Sequence, residues 1–243
     1  MQIITENIKT PLICTIFGDP GLGKTSLAAT FPNPIFILAE DGLKSVSPRP
    51  HSFPLLKDVN EIFECLKYLR KEKHDYKTLV IDSISQLDQL FMAYILASDS
   101  NAKSFASSHG GYGAPFQMLS GLHGRVRKYV GVLANELGMN TVFISHVEVE
   151  NISPPDGEPY SKYDLKLSKK SHCHYVDNVD LVGMIKLDYF TSGDKKDKSK
   201  RAIDSGDRIL ICHAMAANVS KNRLGIDNII EIKKGENPLK GYL

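Results

Sequence analysis

A glycine-rich segment lies at residues 18–25 of this sequence of 243 residues. It has the pattern glycine, four residues, glycine, lysine and threonine, and it lies between an apolar run and a segment able to form a helix. The glycines let successive backbone N–H groups turn toward a phosphate, and the helix that follows adds positive charge at its amino terminus. The residues expected to contact a nucleotide are Gly18, Asp19, Pro20, Gly21, Leu22, Gly23, Lys24, Thr25 and Ser26.

A magnesium site is expected beside this loop. Lys24 is expected to reach the β- and γ-phosphates, while the Thr25 hydroxyl would hold Mg²⁺. Asp82 ends the apolar run 78–82 and supplies the carboxylate that such a site requires. The other interpretation of Asp82 is a helix cap. We therefore predict that the chain binds a nucleoside triphosphate together with Mg²⁺.

Hydrolysis also needs a group that orients or deprotonates water. The residue after Asp82 is Ser83, so no carboxylate is available there. Glu40, directly after the apolar run 35–39, is the candidate base, and Asp41 is the alternative. A solvent-facing carboxylate in a loop is the other interpretation of Glu40.

His146 follows the apolar run 141–145, which we predict to be the strand beside Asp82. Its imidazole could form a hydrogen bond with the γ-phosphate and relay the state of that phosphate to the next loop. A histidine at the end of a strand can also form local hydrogen bonds only, and both interpretations stay open.

Two cations, Lys221 and Arg223, lie in a predicted turn between the last two strands. Residues separated by one position in extended chain point the same way, so the pair could act together on the γ-phosphate of a neighbouring subunit. The other interpretation is a solvated turn, because surface lysines and arginines are usually exposed.

These residues need a sheet that brings the ends of strands together. Apolar runs alternate with helical patterns, which predicts an α/β fold with a mostly parallel sheet and helices on both faces. The last three runs follow one another without helices, which predicts an antiparallel extension. Ligands bind at the carboxyl ends of parallel strands. The predicted strands span 12–17, 35–39, 78–82, 141–145, 179–187, 208–214 and 228–232, and residues 42–57, which contain three prolines, are predicted to be irregular.

Composition fits one α/β domain over residues 1–243, with a core at about 10–232 and a short tail at 233–243. The net charge of +2 does not by itself indicate nucleic-acid binding. Four scattered cysteines favour free thiols in a reducing cytoplasm. We expect no membrane partner, because no apolar run approaches the roughly 20 residues of a spanning helix.

Six motifs together resemble the RecA/DnaB-type P-loop ATPases. The chain is most similar to the short phage RecA-like proteins of the Sak type, which act in single-strand annealing and recombination. The resemblance covers about residues 10–232. The motifs are GDPGLGKTS at 18–26, FILAED at 36–41, TLVIDS at 78–83, GGYGAPF at 110–116, TVFISHVE at 141–148 and SKNRLG at 220–225.

The resemblance implies that the nucleotide is ATP and that Glu40 is the catalytic glutamate. It places His146 where relatives carry a polar γ-phosphate sensor, often glutamine. It matches Lys221 and Arg223 to a pair that reaches into the adjacent protomer, so a homo-oligomer, either ring or filament, is implied. Single-stranded DNA, a single-strand-binding protein and the host cytoplasm of a phage are implied as partners and location.

The same resemblance assigns DNA binding to the loops 98–114 and 147–175. The second loop mixes aromatic and basic residues, which suits single strands, although it also carries five acidic residues that are typical of a solvated loop. A predicted exposed hairpin at 194–201 could add electrostatic attraction. The candidate contacts are Arg125, Arg127, Lys128, Tyr160, Lys162, Tyr163, Lys166, Lys169, Lys170 and Tyr175. The alternative functions are a small-molecule or nucleotide kinase and a nucleotide-dependent switch or loader subunit.

Overall fold

The computed structural model describes residues 10–192, 201–227 and 229–243. Its central feature is a sheet of ten strands. The strands are β1 (Ile13–Gly18), β2 (Pro34–Leu38), β3 (His51–Leu55), β4 (Thr78–Asp82), β5 (Asn140–Ile152), β6 (Tyr160–Leu165), β7 (Leu181–Ser192), β8 (Arg201–Ile211), β9 (Lys221–Asn222) and β10 (Ile230–Glu231). The helices are α1 (Lys24–Ala28), α2 (Val59–Lys71), α3 (Ile84–Ala97) and α4 (Ala114–Leu137), with short 3₁₀ turns at Leu43–Ser45, Phe105–Gly110, Lys169–His174 and Lys240–Tyr242.

The strand order is β10-β8-β7-β1-β5-β4-β2-β3. The six strands from β7 to β3 are parallel, whereas β8 pairs antiparallel with β7 and β10 pairs antiparallel with β8. Two further strands lie off this path, since β6 extends the second half of β5 and β9 pairs with the start of β7. The predicted α/β class, with its antiparallel carboxyl-terminal extension, is therefore confirmed.

Side chains that alternate along the strands build a core on each face of the sheet. On β1, Phe17 packs on one face with the buried sides of α2, α3 and α4. Cys14 and Ile16 pack on the other face with α1 and with buried residues of the carboxyl-terminal segment. The period of two in a strand thus explains why the central strands are apolar along their whole length.

Two segments differ from the sequence prediction. The prediction that 42–57 is irregular was wrong for β3, which pairs in parallel with β2 at the edge of the sheet, where Pro54 is tolerated because one side needs no partner. The polar loop after residue 146 is largely a hairpin of β5 and β6. Its solvent-facing residues conceal the strand pattern. The predicted hairpin at 194–201 lies, except for its last residue, outside the described residues.

Two helix boundaries follow common capping patterns. Asp58 caps α2, and its partner Glu61 completes the capping box. Gly138 ends α4 with φ +64°. Among the described helices, none combines the length and the apolar character needed to cross a membrane.

Candidate active site

The strand register brings the predicted site residues to one edge of the sheet. β5 lies between β1 and β4, and it places His146 opposite Gly18 of the phosphate loop. On β4, Asp82 lies opposite Leu38, after which β2 leads into Glu40. The carboxyl ends of β1, β2 and β4 therefore meet the end of the part of β5 that pairs with β1 and β4. Parallel sheets bind ligands at this edge.

The phosphate loop is closed around its lysine. The Lys24 ammonium donates to the carbonyls of Gly18 and Asp19, each at 2.8 Å. An ammonium has three N–H donors, so a third remains for a phosphate oxygen. Burial lowers the pKa of Lys24, whereas the nearby carboxylates of Asp82 and Glu40 oppose that shift. The loop thus holds a cation where the phosphates of a nucleotide would lie.

The next two groups form an oxygen donor set. Thr25 Oγ1 donates to Asp82 Oδ2 at 2.8 Å. Burial raises the pKa of Asp82 to about 6, although the hydrogen bond from Thr25 opposes the shift. Ser83, and not Asp82, caps α3 by accepting from the N–H of Gln86, so the cap interpretation of Asp82 was wrong.

Gly42 keeps space open at these oxygens. A Cβ atom at this position would lie 2.9 Å from Asp82 Oδ2 and 3.3 Å from Thr25 Oγ1. A hydroxyl and a carboxylate are the hard oxygen ligands that Mg²⁺ prefers. The residues present therefore fit Mg²⁺, which would be held by Thr25 and Asp82.

Glu40 and His146 are in direct contact. Nε2 of His146 lies 2.9 Å from one carboxylate oxygen of Glu40 and 3.1 Å from the other, and the side chains are 29% and 24% exposed for Glu40 and His146. Burial alone would raise the pKa of Glu40, but hydrogen bonds from His146 and Ser83 outweigh it and the net pKa is lowered. The carboxylate is therefore ionised at neutral pH, as a base must be.

This contact was not predicted from the sequence, where the two residues had separate roles. It arises because the chain after β2 turns across the end of β4, with the N–H groups of Ala39 and Glu40 directed at the carbonyl of Asp82. His146 is also held by its backbone, since its N–H donates to Ser85 Oγ at 3.0 Å. The first turn of α3 thereby holds β5 in position at His146.

Lys221 and Arg223 lie toward the amino-terminal ends of the parallel strands, away from the phosphate loop. Lys221 pairs with Val182 near the start of β7, whereas Ile185 of β7 is level with Gly18. The Arg223 guanidinium lies 3.6 Å from the carboxylate of Asp180, and Lys221 donates to the carbonyl of Asp177. The structure therefore does not bring these two cations to the phosphate loop of their own chain, and their contact with a neighbouring subunit stays a prediction.

Arg208 on β8 was not predicted from the sequence to be near the site. Its Nη1 donates to the carbonyl of Leu22 in the phosphate loop at 3.3 Å. No local motif marks this arginine, because its position depends on how β8 pairs with β7. Beside it lies a cavity of about 520 Å³ against the outer side of α1. The cavity is lined by Ser26, Leu27, Ala29, Thr30, Ser45, Val46, Ser47, Pro48, Arg208, Ile232, Lys233, Lys234, Gly235 and Glu236.

The two predicted DNA loops meet each other. A Cβ on Gly113 would lie 3.3 Å from the ammonium of Lys170, and Ser120 Oγ donates to the Lys170 carbonyl at 2.9 Å. Tyr112 is fully exposed at the end of the first loop. The prediction that Tyr175 contacts bases was wrong, because this side chain is fully buried.

Two of the predicted basic contacts on α4 are also engaged within the fold. The Arg125 guanidinium lies 4.1 Å from the ring centroid of Phe63. Arg127 donates to the carbonyl of Asn178, and burial lowers its pKa. Lys128 is exposed on the same helix. Of the three predicted basic residues on α4, Lys128 is thus the one that takes no part in these contacts.

Comparison with known proteins agrees with this site. Residues 10–224 match a protein family described as AAA domain (AAA_24). The chain is also 22% identical over 209 residues to the SPbeta prophage-derived uncharacterized protein YorG of Bacillus subtilis (strain 168). That match covers 84% of this chain and 58% of the relative, so the chain spans less than two thirds of that protein. The narrower resemblance to RecA-type and Sak-type proteins stays a prediction. The family match extends over most of the chain, which therefore belongs to the AAA_24 family of AAA domains, with a nucleotide-binding fold of the P-loop ATPase type.

Proposed function

We propose that the chain hydrolyses ATP with Mg²⁺ and that the state of the bound nucleotide controls its affinity for single-stranded DNA in recombination, annealing or repair. The observation that carries this proposal is the contact between Glu40 and His146. It joins the candidate base of hydrolysis to the strand that continues directly into the β5–β6 hairpin.

Each residue of the site would have one task. Lys24 and the backbone N–H groups of its loop would hold the phosphates, and Thr25 and Asp82 would hold Mg²⁺. The bound ion would offset the negative charge of the β- and γ-phosphates. The ionised carboxylate of Glu40 would accept a proton from the attacking water. The 520 Å³ cavity beside α1 gives room for the nucleoside.

His146 would report the state of the nucleotide. Its Nε2 is bound to Glu40, so a γ-phosphate that moves this carboxylate would move the imidazole with it. The carbonyl of His146 accepts from the N–H of Lys166, and the next residue pair of the hairpin is Val147 with Leu165. A shift of His146 would therefore move the hairpin, which supports control of DNA binding by the nucleotide.

The DNA surface would lie where the two loops meet. The exposed ring of Tyr112 can stack on a base, and the neighbouring ammonium of Lys170 can pair with a phosphate. Tyr160, at the far end of the hairpin, is also partly exposed. Because phosphate pairing dominates this kind of binding, the affinity should fall as the salt concentration rises.

A neighbouring copy would complete the ATP site. Lys221 and Arg223 lie away from their own phosphate loop, so they could act on a γ-phosphate only across a subunit interface. This arrangement supports a homo-oligomer, a ring or a filament. A single-strand-binding protein and the host cytoplasm of a phage are the partner and the location that accompany this proposal.

The first experiment is steady-state ATP hydrolysis at low salt, with and without single-stranded DNA. Wild type should be stimulated by DNA, and Lys24→Ala should lose both basal and stimulated turnover. Lys67→Ala, an exposed lysine on α2, is the matched control and should behave as wild type. Hydrolysis that is indifferent to DNA would contradict the proposal and favour a kinase or a switch subunit.

A further inference from the structure

Arg208 lies beside the phosphate loop because of the strand register. On β8 it is opposite Leu187 of β7, two residues beyond Ile185, which is level with Gly18. The arginine is therefore located past the carboxyl end of β1. Leu210, two residues along β8, packs in the core with α1, so Arg208 projects toward the same face of the sheet.

The guanidinium fills space that a side chain on the loop would need. A Cβ atom on Gly23 would lie 2.3 Å from Nη1 of Arg208, and Gly23 has φ +81°. The backbone conformation thus requires glycine here, and a side chain on the loop would also displace the guanidinium. Gly23 immediately precedes α1, whose first N–H groups would face the phosphates of a bound nucleotide. The positive charge of Arg208 therefore lies directly beside these N–H groups.

Much of the hydrogen-bonding capacity of this guanidinium remains available. A guanidinium has five N–H donors, and one of them is directed at the carbonyl of Leu22. In the part of the chain that the structure describes, no carboxylate forms an ion pair with Arg208. An arginine beside a phosphate loop without a carboxylate partner is suited to bind phosphate oxygens, for which its planar donor fork is well matched.

The cavity indicates which phosphate Arg208 would contact. Arg208 lines the cavity beside α1 together with Ser26 and Thr30, which places it between the phosphate loop and the space for the nucleoside. Lys24 donates to the carbonyls of Gly18 and Asp19 at the start of the loop, whereas Arg208 donates to the carbonyl of Leu22 near its end. The arginine is therefore nearer to the nucleoside end of a bound polyphosphate than to its γ-phosphate.

We propose that Arg208 is a nucleotide-binding residue that acts within its own chain and donates to the polyphosphate at the nucleoside end. This inference rests on the proposed function, since it requires a nucleotide in the loop. Arg208 and Arg223 would then have different roles. Arg208 would hold diphosphate and triphosphate alike, whereas Arg223 would act on the γ-phosphate of a neighbour.

Binding of fluorescently labelled ADP and ATP, measured by titration, tests the inference. Arg208→Ala should weaken both nucleotides by the same factor, about tenfold or more, because a hydrogen bond to a charged group is lost. Turnover at saturating ATP should change little, so KM rises while kcat is kept. Arg208→Lys, which keeps the charge without the planar fork, should fall between wild type and Arg208→Ala.

The control is Arg70→Ala, which removes an exposed arginine paired with Glu136 on the far ends of α2 and α4 and should leave both affinities unchanged. Circular dichroism of every variant establishes that the fold is kept, and Arg208→Lys remains informative if the alanine variant does not fold. Affinities of Arg208→Ala and Arg208→Lys within twofold of wild type would overturn this inference alone. A loss confined to ATP would overturn the assignment to the nucleoside end. If wild type bound neither nucleotide, the proposed function would fail together with this inference.

Discussion

Removing the charge of Glu40 is the sharpest test of the proposed hydrolysis. Glu40→Gln keeps the shape of the side chain but cannot accept a proton from water. A positioned general base contributes about 10²- to 10⁴-fold to a rate, which corresponds to about 3–5 kcal/mol of barrier. We therefore expect hydrolysis to fall by that factor. Nucleotide binding should be kept, because the Glu40 carboxylate bonds to His146 and Ser83 and not to the phosphate loop.

The contribution of His146 can be estimated from its contact with this carboxylate. A hydrogen bond to a charged group is worth about 1.5–3 kcal/mol. Both side chains are about a quarter exposed, so water screens the pair and the lower value applies. His146→Ala should thus slow hydrolysis about tenfold, since about 1.4 kcal/mol is a factor of ten. The cause would be a carboxylate that is no longer held in position.

A double-mutant cycle decides whether the two residues act as a unit. If His146 works only by positioning Glu40, the double variant should be as slow as Glu40→Gln alone. The assay is single-turnover hydrolysis at saturating Mg²⁺ and enzyme, with nucleotide affinity measured separately. Losses that multiply in the double variant would refute the positioning role of His146. Normal hydrolysis by Glu40→Gln would refute the base assignment itself.

Three further substitutions test other parts of the structure. Tyr175→Phe should lower the free energy of unfolding by about 1–3 kcal/mol in urea, because it leaves a buried histidine nitrogen without its 2.7 Å hydrogen bond; an unchanged midpoint would contradict that network. Gly42→Ala should raise the Mg²⁺ concentration for half-maximal hydrolysis about tenfold or more while metal-free nucleotide binding is kept, since its Cβ crowds the carboxylate at the metal site. Arg223→Ala mixed with Lys24→Ala should hydrolyse more ATP than the two alone, and a mixture equal to their sum would exclude a shared site.

The sequence predicted the residues that end parallel strands. Asp82, Glu40 and His146 each follow an apolar run, and the carboxyl ends of such runs meet in any parallel sheet. Their approximate location could therefore be predicted without knowing the strand order. The hydrogen bond between Glu40 and His146 could not, because it depends on the turn after β2, which carries Glu40 across the end of β4.

Features that do not depend on the carboxyl ends of parallel strands could not be predicted from the sequence. Arg208 reaches the phosphate loop through the antiparallel register of β8 with β7, and no local pattern encodes that register. The strand β3 contains Pro54, which normally argues against a strand and is tolerated here at an edge. The burial of Tyr175 likewise depends on how the 3₁₀ turn at Lys169–His174 packs on α4, which spacing in the sequence does not reveal.

The backbone of His146 joins both predicted DNA-binding segments. Its N–H is held by Ser85 in the first turn of α3, the helix that leads into 98–114. Its carbonyl is held by the N–H of Lys166, directly after the β5–β6 hairpin. If the γ-phosphate moves His146 as proposed, the movement would therefore act on both segments at once. Such coupling is reciprocal for binding free energies. DNA that orders the two segments should therefore tighten ATP binding by the same factor by which ATP tightens DNA binding.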